Sequence, residues 1–376
     1  MGTARLFLLF ILIFASCRST QRTVEAGRSR WSTQDAQQWS ATHGWLRGSN
    51  FIPSNAINEL EMWQGETFDT ATIDRELALA ESLGFNSMRV FLHDLLWKQD
   101  SSGFLQRIDK YLQISSGHGI GTMFVLFDGV WNPEPKAGKQ PAPRPFVHNS
   151  GWVQSPGSAI LSDTVRQDSL QNYVQGIIGH FSKDPRVDAW DLFNEPDNMY
   201  IHPPWPADPA NKAALATRLL GKAFSWARAM NPSQPLTAGL WNGGDWSNGN
   251  KLSALSSLMV NESDIISFHC YDPKAEMEKR IRSLQTYGRP IVCTEYMARP
   301  NKSTFADILP LLKESNVGAY NWGFVSGKTN TVYPWNSWDT TYTAEPVVWF
   351  HDIFRGDGTP YKLEEIETIK QLTGKK

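Results

Sequence analysis

Thiol and imidazole ligands are scarce in this chain, whose 376 residues include three cysteines and eight histidines. Cys17, Cys270 and Cys293 lie too far apart for a zinc site, and no histidine-rich cluster accompanies them, which argues against a metal-dependent hydrolase. Surplus charge of one sign is also missing. Against 38 Asp and Glu stand 36 Lys and Arg, a net charge of −2, so no overall field draws the protein to nucleic acid. The apolar stretch Leu6 to Phe14 is too short to span a bilayer stably. A glycine-rich phosphate turn is absent after the first strand candidate, which runs into Asn50-Phe51-Ile52-Pro53-Ser54-Asn55, so nothing supports dinucleotide binding.

What is present at the N-terminus reads as an export signal: Arg5, the apolar Leu6 to Phe14, then the small residues Ala15 and Ser16 before Cys17. Phe14-Ala15-Ser16-Cys17 resembles the lipobox of bacterial lipoproteins, which implies cleavage before Cys17 and lipidation of its thiol. The expectation is an outer-membrane lipoprotein facing the periplasm or the cell surface, or otherwise a secreted protein. Residues 18–30 are polar and charged, as a flexible tether would be. A folded body is expected over 31–376. Cys270 and Cys293 fall in neighbouring strand candidates, where buried free thiols fit better than a disulfide.

Beyond Trp31, short apolar runs alternate with segments of helical period, the pattern of repeated βα units around a parallel sheet. The strand candidates are Trp45–Pro53, Ser87–His93, Thr122–Asp128, Val187–Asn194, Leu236–Trp241, Ile265–Tyr271, Pro290–Tyr296 and Gly318–Val325. Helices are expected at Asp69–Leu83, Phe104–Gly117, Asp163–Ser182, Asn211–Asn231, Lys274–Tyr287, Thr304–Ser315 and near the C-terminus. A single (β/α)8 TIM barrel with long loops after strands 1 and 3 accounts for the pattern. In such a barrel both insertions, 54–68 and 129–161, fall on the face where binding sites form.

Two strand candidates end in a carboxylate: Val187 to Phe193 closes on Asn194-Glu195-Pro196, and Pro290-Ile291-Val292-Cys293-Thr294 closes on Glu295. Pro196 marks the turn off the sheet. A carboxylate buried at a strand end without a use costs several kcal/mol. Glycosidic bond cleavage needs two such groups, one to protonate the departing oxygen and one to attack or to activate water. Aromatics make up 12% of the chain, with 16 Trp, and flat tryptophan faces after strands suit stacking on sugar rings.

From Trp45 to Phe354 the chain resembles the retaining glycoside hydrolases of clan A, most closely family 5, the cellulase and mannanase family. The resemblance implies that Glu195 is the acid/base, Glu295 the nucleophile and Arg89 the arginine that keeps Glu295 ionised by lowering its pKa. It implies further that Asn194 bonds the sugar 2-hydroxyl, that His269 and Tyr271 stand beside the two acids, and that Trp322 lies under the cleaved sugar. Asp128, His93, Trp131 and Trp241 follow strands and are weaker candidates for binding sugar. The first strand, Leu46-Arg47-Gly48-Ser49-Asn50-Phe51-Ile52-Pro53, departs from the family 5 pattern toward clan A exo-enzymes, which leaves endo or exo attack open. The implied substrate is a β-linked glucan, mannan or related hemicellulose, with the two carboxyl groups about 5 to 5.5 Å apart and no metal or organic cofactor. A transglycosylase on the same residues and a non-catalytic glycan-binding lipoprotein are the competing readings.

Overall fold

The computed structural model describes residues 1–2, 27–200 and 204–376, so the expected signal and Cys17 lie outside the described residues. Eight parallel strands form the sheet: β1 Arg47–Asn50, β2 Ser87–Phe91, β3 Gly121–Val125, β4 Val187–Asp191, β5 Leu236–Thr237, β6 Ile266–His269, β7 Ile291–Tyr296 and β8 Gly318–Asn321. Their order is β5-β4-β3-β2-β1-β8-β7-β6. Leu240 closes the ring between β5 and β6, donating its N–H to Ser267 O at 2.9 Å and accepting from His269 N at 2.8 Å. The expected (β/α)8 barrel is therefore present, with all eight strands where the sequence puts them.

The helices show why the pattern was readable and where it was not. Asp69 caps the helix Thr70–Ser82 by accepting from Ala71 N and Thr72 N, and Ile73, Leu77 and Ala80 of that helix are buried. The helix Ala254–Glu262, between β5 and β6, is unexpected from the sequence; Ser256, Ser257 and Asn261 take three of its nine positions and blur its apolar face. A short helix, Glu59–Trp63, sits inside the loop after β1 and sends Trp63 into the outer core.

Below the strands, the helix Thr33–His43 plugs the barrel floor. Its Ala36 packs with Leu46, Met123, Ala189, Ile265, Val292 and Tyr320, a core separate from the larger one between strands and helices. The plug is tied down ahead of the expected boundary at Trp31. Arg28 donates to Asp264 from both terminal nitrogens, at 3.1 and 2.6 Å, so the segment from Gly27 to Arg30 is attached rather than free. Asp264, fully buried, also accepts from Trp31 N and Leu236 N, both at 2.7 Å. Cys270 and Cys293 are free and buried.

Removing one partner of a buried charged network leaves the others unpaired. Asp264→Ala is expected to destabilise the fold by about 3 kcal/mol, read from the urea midpoint. A midpoint within error of the parent would show that the floor plug carries no such load.

Candidate active site

β4 and β7 lie on opposite flanks of the barrel mouth, and each delivers one glutamate to the same pocket. Leaving β4, the chain turns sharply at Glu195, whose φ of +40° is a left-handed conformation uncommon for this residue type. Gly129 allows the turn to pack, because a Cβ there would lie 2.1 Å from the Glu195 carbonyl oxygen. In β7 the register against β6 shifts: Phe268 pairs with Cys293, but His269 pairs with Glu295. The extra residue re-aims the strand, so that Glu295 faces the same side as His269.

Arg89 organises the pair from inside the barrel, where it is fully buried. Its Nε and Nη2 donate to Asp191 Oδ2 at 3.0 and 2.8 Å, and Nη1 donates to Glu295 Oε1 at 3.0 Å. Further bonds of 2.7 Å run to Asn50 Oδ1 and Asn194 Oδ1. Tyr271 donates to the second Glu295 oxygen at 2.6 Å. Glu195 has different company: Asn198 donates to its Oε2 at 2.6 Å, and His269 Nδ1 lies 2.8 Å from its Oε1. His269 Nδ1 also stands 3.6 Å from Glu295 Oε2.

Burial sets the protonation of this group. It pushes Glu195 up to about 7, against the opposing pull of the Asn198 bond and the more distant Arg89. Glu295 is also raised, by burial first; the nearby Glu195 adds to this, while His269, Arg89 and Tyr271 oppose it. The expectation that Arg89 takes Glu295 below its ordinary value is thus corrected: the arginine pulls downward, but desolvation outweighs it. The two acids still differ in their partners, because the guanidinium and the tyrosine hydroxyl bond Glu295 and neither bonds Glu195. Burial also lowers His269 to about 4, leaving it neutral between the two acids at neutral pH.

The pocket holds about 830 Å³ of empty space, part of it open to solvent. Glu195, Glu295, Asn194, Tyr271, Trp322, Trp131 and Trp241 all line it, as the sequence led us to expect. Trp322 is braced edge-on by Phe91 and Trp152, with ring centres 5.8 and 5.6 Å away. Trp241 is fixed by an Nε1–H bond to Asp197 at 2.7 Å. Asp128 and His93 are placed behind the pocket instead. Asp128 accepts from Asn194 Nδ2 at 2.9 Å and from Trp152 Nε1 at 2.6 Å, and burial raises it to about 7. His93 Nδ1 accepts from Leu95 N at 3.1 Å and so caps the helix Asp94–Gly117. Both therefore position other groups.

Sequence reasoning missed His148, Asn149, Asn198 and Trp335 in the pocket wall, and Asn50 and Asp191 as partners of Arg89. Asp191 left a signal, an acid that like Asp188 interrupts an apolar strand; His148 and Asn149 left none. Glu195, His269 and Glu295 each present a donor atom within 4.8 Å of the others, the geometry of a metal ligand set. The Arg89 guanidinium on Glu295, and donors already on the remaining carboxylate oxygens, make the trio a poor cation site.

The class defined so far is a (β/α)8 barrel whose fourth and seventh strands bring two glutamates into one aromatic pocket. No protein-family model matches the chain, and no curated protein matches it. Solved structures do match its fold. An exo-β-1,4-mannosidase from Opitutaceae bacterium strain TAV5 aligns with a TM-score of 0.58 at 17% identity, over 88% of this chain and 60% of that one. A GH5_18 protein from Bifidobacterium longum subsp. longum, solved with Manβ1-4GlcNAc, aligns with a TM-score of 0.56 at 14% identity, over 88% and 78%. The endo-1,4-β-D-mannanase of Thermotoga petrophila RKU-1 gives 0.54 at 15% identity, over 88% and 99%.

Because the Asn198 bond favours the ionised carboxylate, its loss shifts Glu195 further in the direction burial already sets. In Asn198→Ala the Glu195 titration is expected to move above its parental midpoint of about 7, measured by carboxyl 13C NMR. A midpoint that stays or falls would contradict this balance.

Proposed function

We propose that the protein is a retaining β-glycoside hydrolase that cleaves β-linked glucan, mannan or related hemicellulose by double displacement. The observation that carries this reading is the Glu195–Glu295 pair, whose nearest oxygens come within 4.8 Å across one pocket. Retaining enzymes hold their carboxyl groups about 5 to 5.5 Å apart, whereas inverting enzymes leave about 6.5 to 9.5 Å for an intervening water. The approach of Glu195 and Glu295 suits direct attack. The mannan-acting names among the fold neighbours make β-mannosides the first substrates to try.

In the first displacement the ionised Glu295 attacks the anomeric carbon while the bond to the leaving oxygen breaks, and Glu195 gives that oxygen its proton. The product is a glycosyl ester on Glu295. In the second, Glu195 takes a proton from water, the resulting oxygen bonds to the anomeric carbon, and Glu295 departs as a carboxylate. Arg89 and Tyr271 hold the two oxygens of Glu295, which fixes its direction of attack and favours its charged form before and after each cycle. Neutral His269 orients Glu195 without adding a positive charge that would strip its proton. Trp322 offers a flat face to the sugar, and Asn194, anchored by Arg89 and Asp128, offers its amide to a hydroxyl. The export signal and Cys17 extend the proposal to place: a lipoprotein held at a bacterial outer membrane.

Glu295→Gln is expected to lower kcat about 10⁴-fold while sugar binding persists, since the amide keeps the shape but is no nucleophile. In the parent, kcat/KM is expected to fall as pH rises through about 7, where Glu195 loses the proton it must donate. Undiminished turnover in the variant, or a rate that climbs above that pH, would refute the assignment.

A further inference from the structure

We propose that His148 and Asn149 wall off the non-reducing end of the bound sugar, so that the protein removes single terminal sugars instead of cutting within a chain. This inference rests on the hydrolase reading and deepens it. Its starting point is direction. The acid that protonates the leaving oxygen must stand on the leaving-group side, and Glu195 and Asn198 follow β4 while Trp241 follows β5. In the ring of strands β8 lies four places from β4, directly across the mouth. A sugar seated on Trp322 with its leaving group toward Glu195 therefore points its non-reducing end toward β8 and whatever is packed there.

What is packed there is the long loop after β3, stitched to the segment after β8. Asn149 N donates to Thr329 O at 2.7 Å, His148 N to Ser337 Oγ at 3.0 Å, and His148 Nδ1 lies 2.8 Å from Tyr333 O. The loop after β1 joins the same seam: Asn58 Nδ2 donates to Gly151 O at 2.8 Å, and Lys328 pairs with Glu61 at 2.6 Å. Three loops thus hold one wall in place at the side where an internal sugar's chain would have to continue.

The wall is polar and ready for hydroxyl groups. Because the Tyr333 carbonyl only accepts, His148 Nδ1 carries the proton and Nε2 remains an acceptor. Burial keeps the ring neutral, with its pKa lowered to about 4. Asn149 lines the pocket, is 2% exposed, and its side-chain oxygen has no hydrogen-bond partner among the described residues. A buried amide oxygen left unpaired is costly, and a sugar hydroxyl donated to it removes that cost. A terminal sugar carries a free hydroxyl at its non-reducing end; an internal one is blocked there by the next residue of the chain.

The test uses the full protein on manno- and cello-oligosaccharides labelled at the reducing end, beside the matching 4-nitrophenyl β-glycosides of single sugars. The expected result is stepwise shortening by one sugar and turnover of a 4-nitrophenyl monosaccharide. Internal cuts, with the single-sugar glycosides untouched, would overturn the inference while leaving the hydrolase reading intact; no turnover of any probe would sink both. Asn149 has a φ of +46°, so Asn149→Gly removes the amide without straining the backbone. That variant is expected to raise KM for the 4-nitrophenyl glycoside about tenfold with kcat little changed, since one uniform hydrogen bond is lost. An unchanged KM, with an unchanged melting temperature, would remove Asn149 from the role.

Discussion

A single buried cation, Arg89, holds the centre of this barrel together. It lies between Asp191 and Glu295 and reaches Asn50 and Asn194 as well, so strands β1, β2, β4 and β7 all meet at one guanidinium. Placing it there carries a large desolvation cost, which the paired carboxylates and the carbonyl oxygens of the two asparagines offset. Phe91 adds its ring face, 4.8 Å from the guanidinium carbon. Neutral replacements at Arg89 would leave two carboxylates buried and unpaired, which is why the residue joins folding to the proposed chemistry.

From that arrangement the different behaviour of two identical side chains follows. Glu295 bonds the cation and a tyrosine hydroxyl; Glu195 bonds an amide and a neutral imidazole. Both feel burial, but only one is bonded to the guanidinium that opposes it. Backbone irregularity then aims them. A left-handed turn follows β4 and a register shift interrupts β7, and each departure from regular structure falls at the glutamate it delivers. A regular β7 would alternate Glu295 away from His269.

Much of this was legible in the chain because barrel strands, buried on both faces, leave unmistakable apolar runs, and Glu195 and Glu295 interrupt two of them. Arg89, His269 and Tyr271 lie in such runs too, but their places beside the acids were implied by the family resemblance and not by the pattern. The helix Ala254–Glu262 escaped because its serines and asparagine weaken the periodic signal, and Asp128 and His93 were placed at the pocket although they brace it from behind. His148 and Asn149 were invisible for a deeper reason. Their position depends on contacts with residues 329–337, almost two hundred positions away, and no local pattern encodes such a seam.

The pocket mouth unites these levels: the floor plug and the strand ring fix the barrel, the guanidinium fixes the acids, and in the proposed reading the stitched loops set how much of a glycan can enter. Central to the proposed function is that Glu295, held by Arg89, forms the covalent bond. A 2-deoxy-2-fluoro glycoside with a good leaving group, incubated with the protein and followed by peptide mass spectrometry, tests this directly. The account predicts one added sugar on the peptide carrying Glu295; a label on Glu195, or turnover with no covalent adduct, would contradict it.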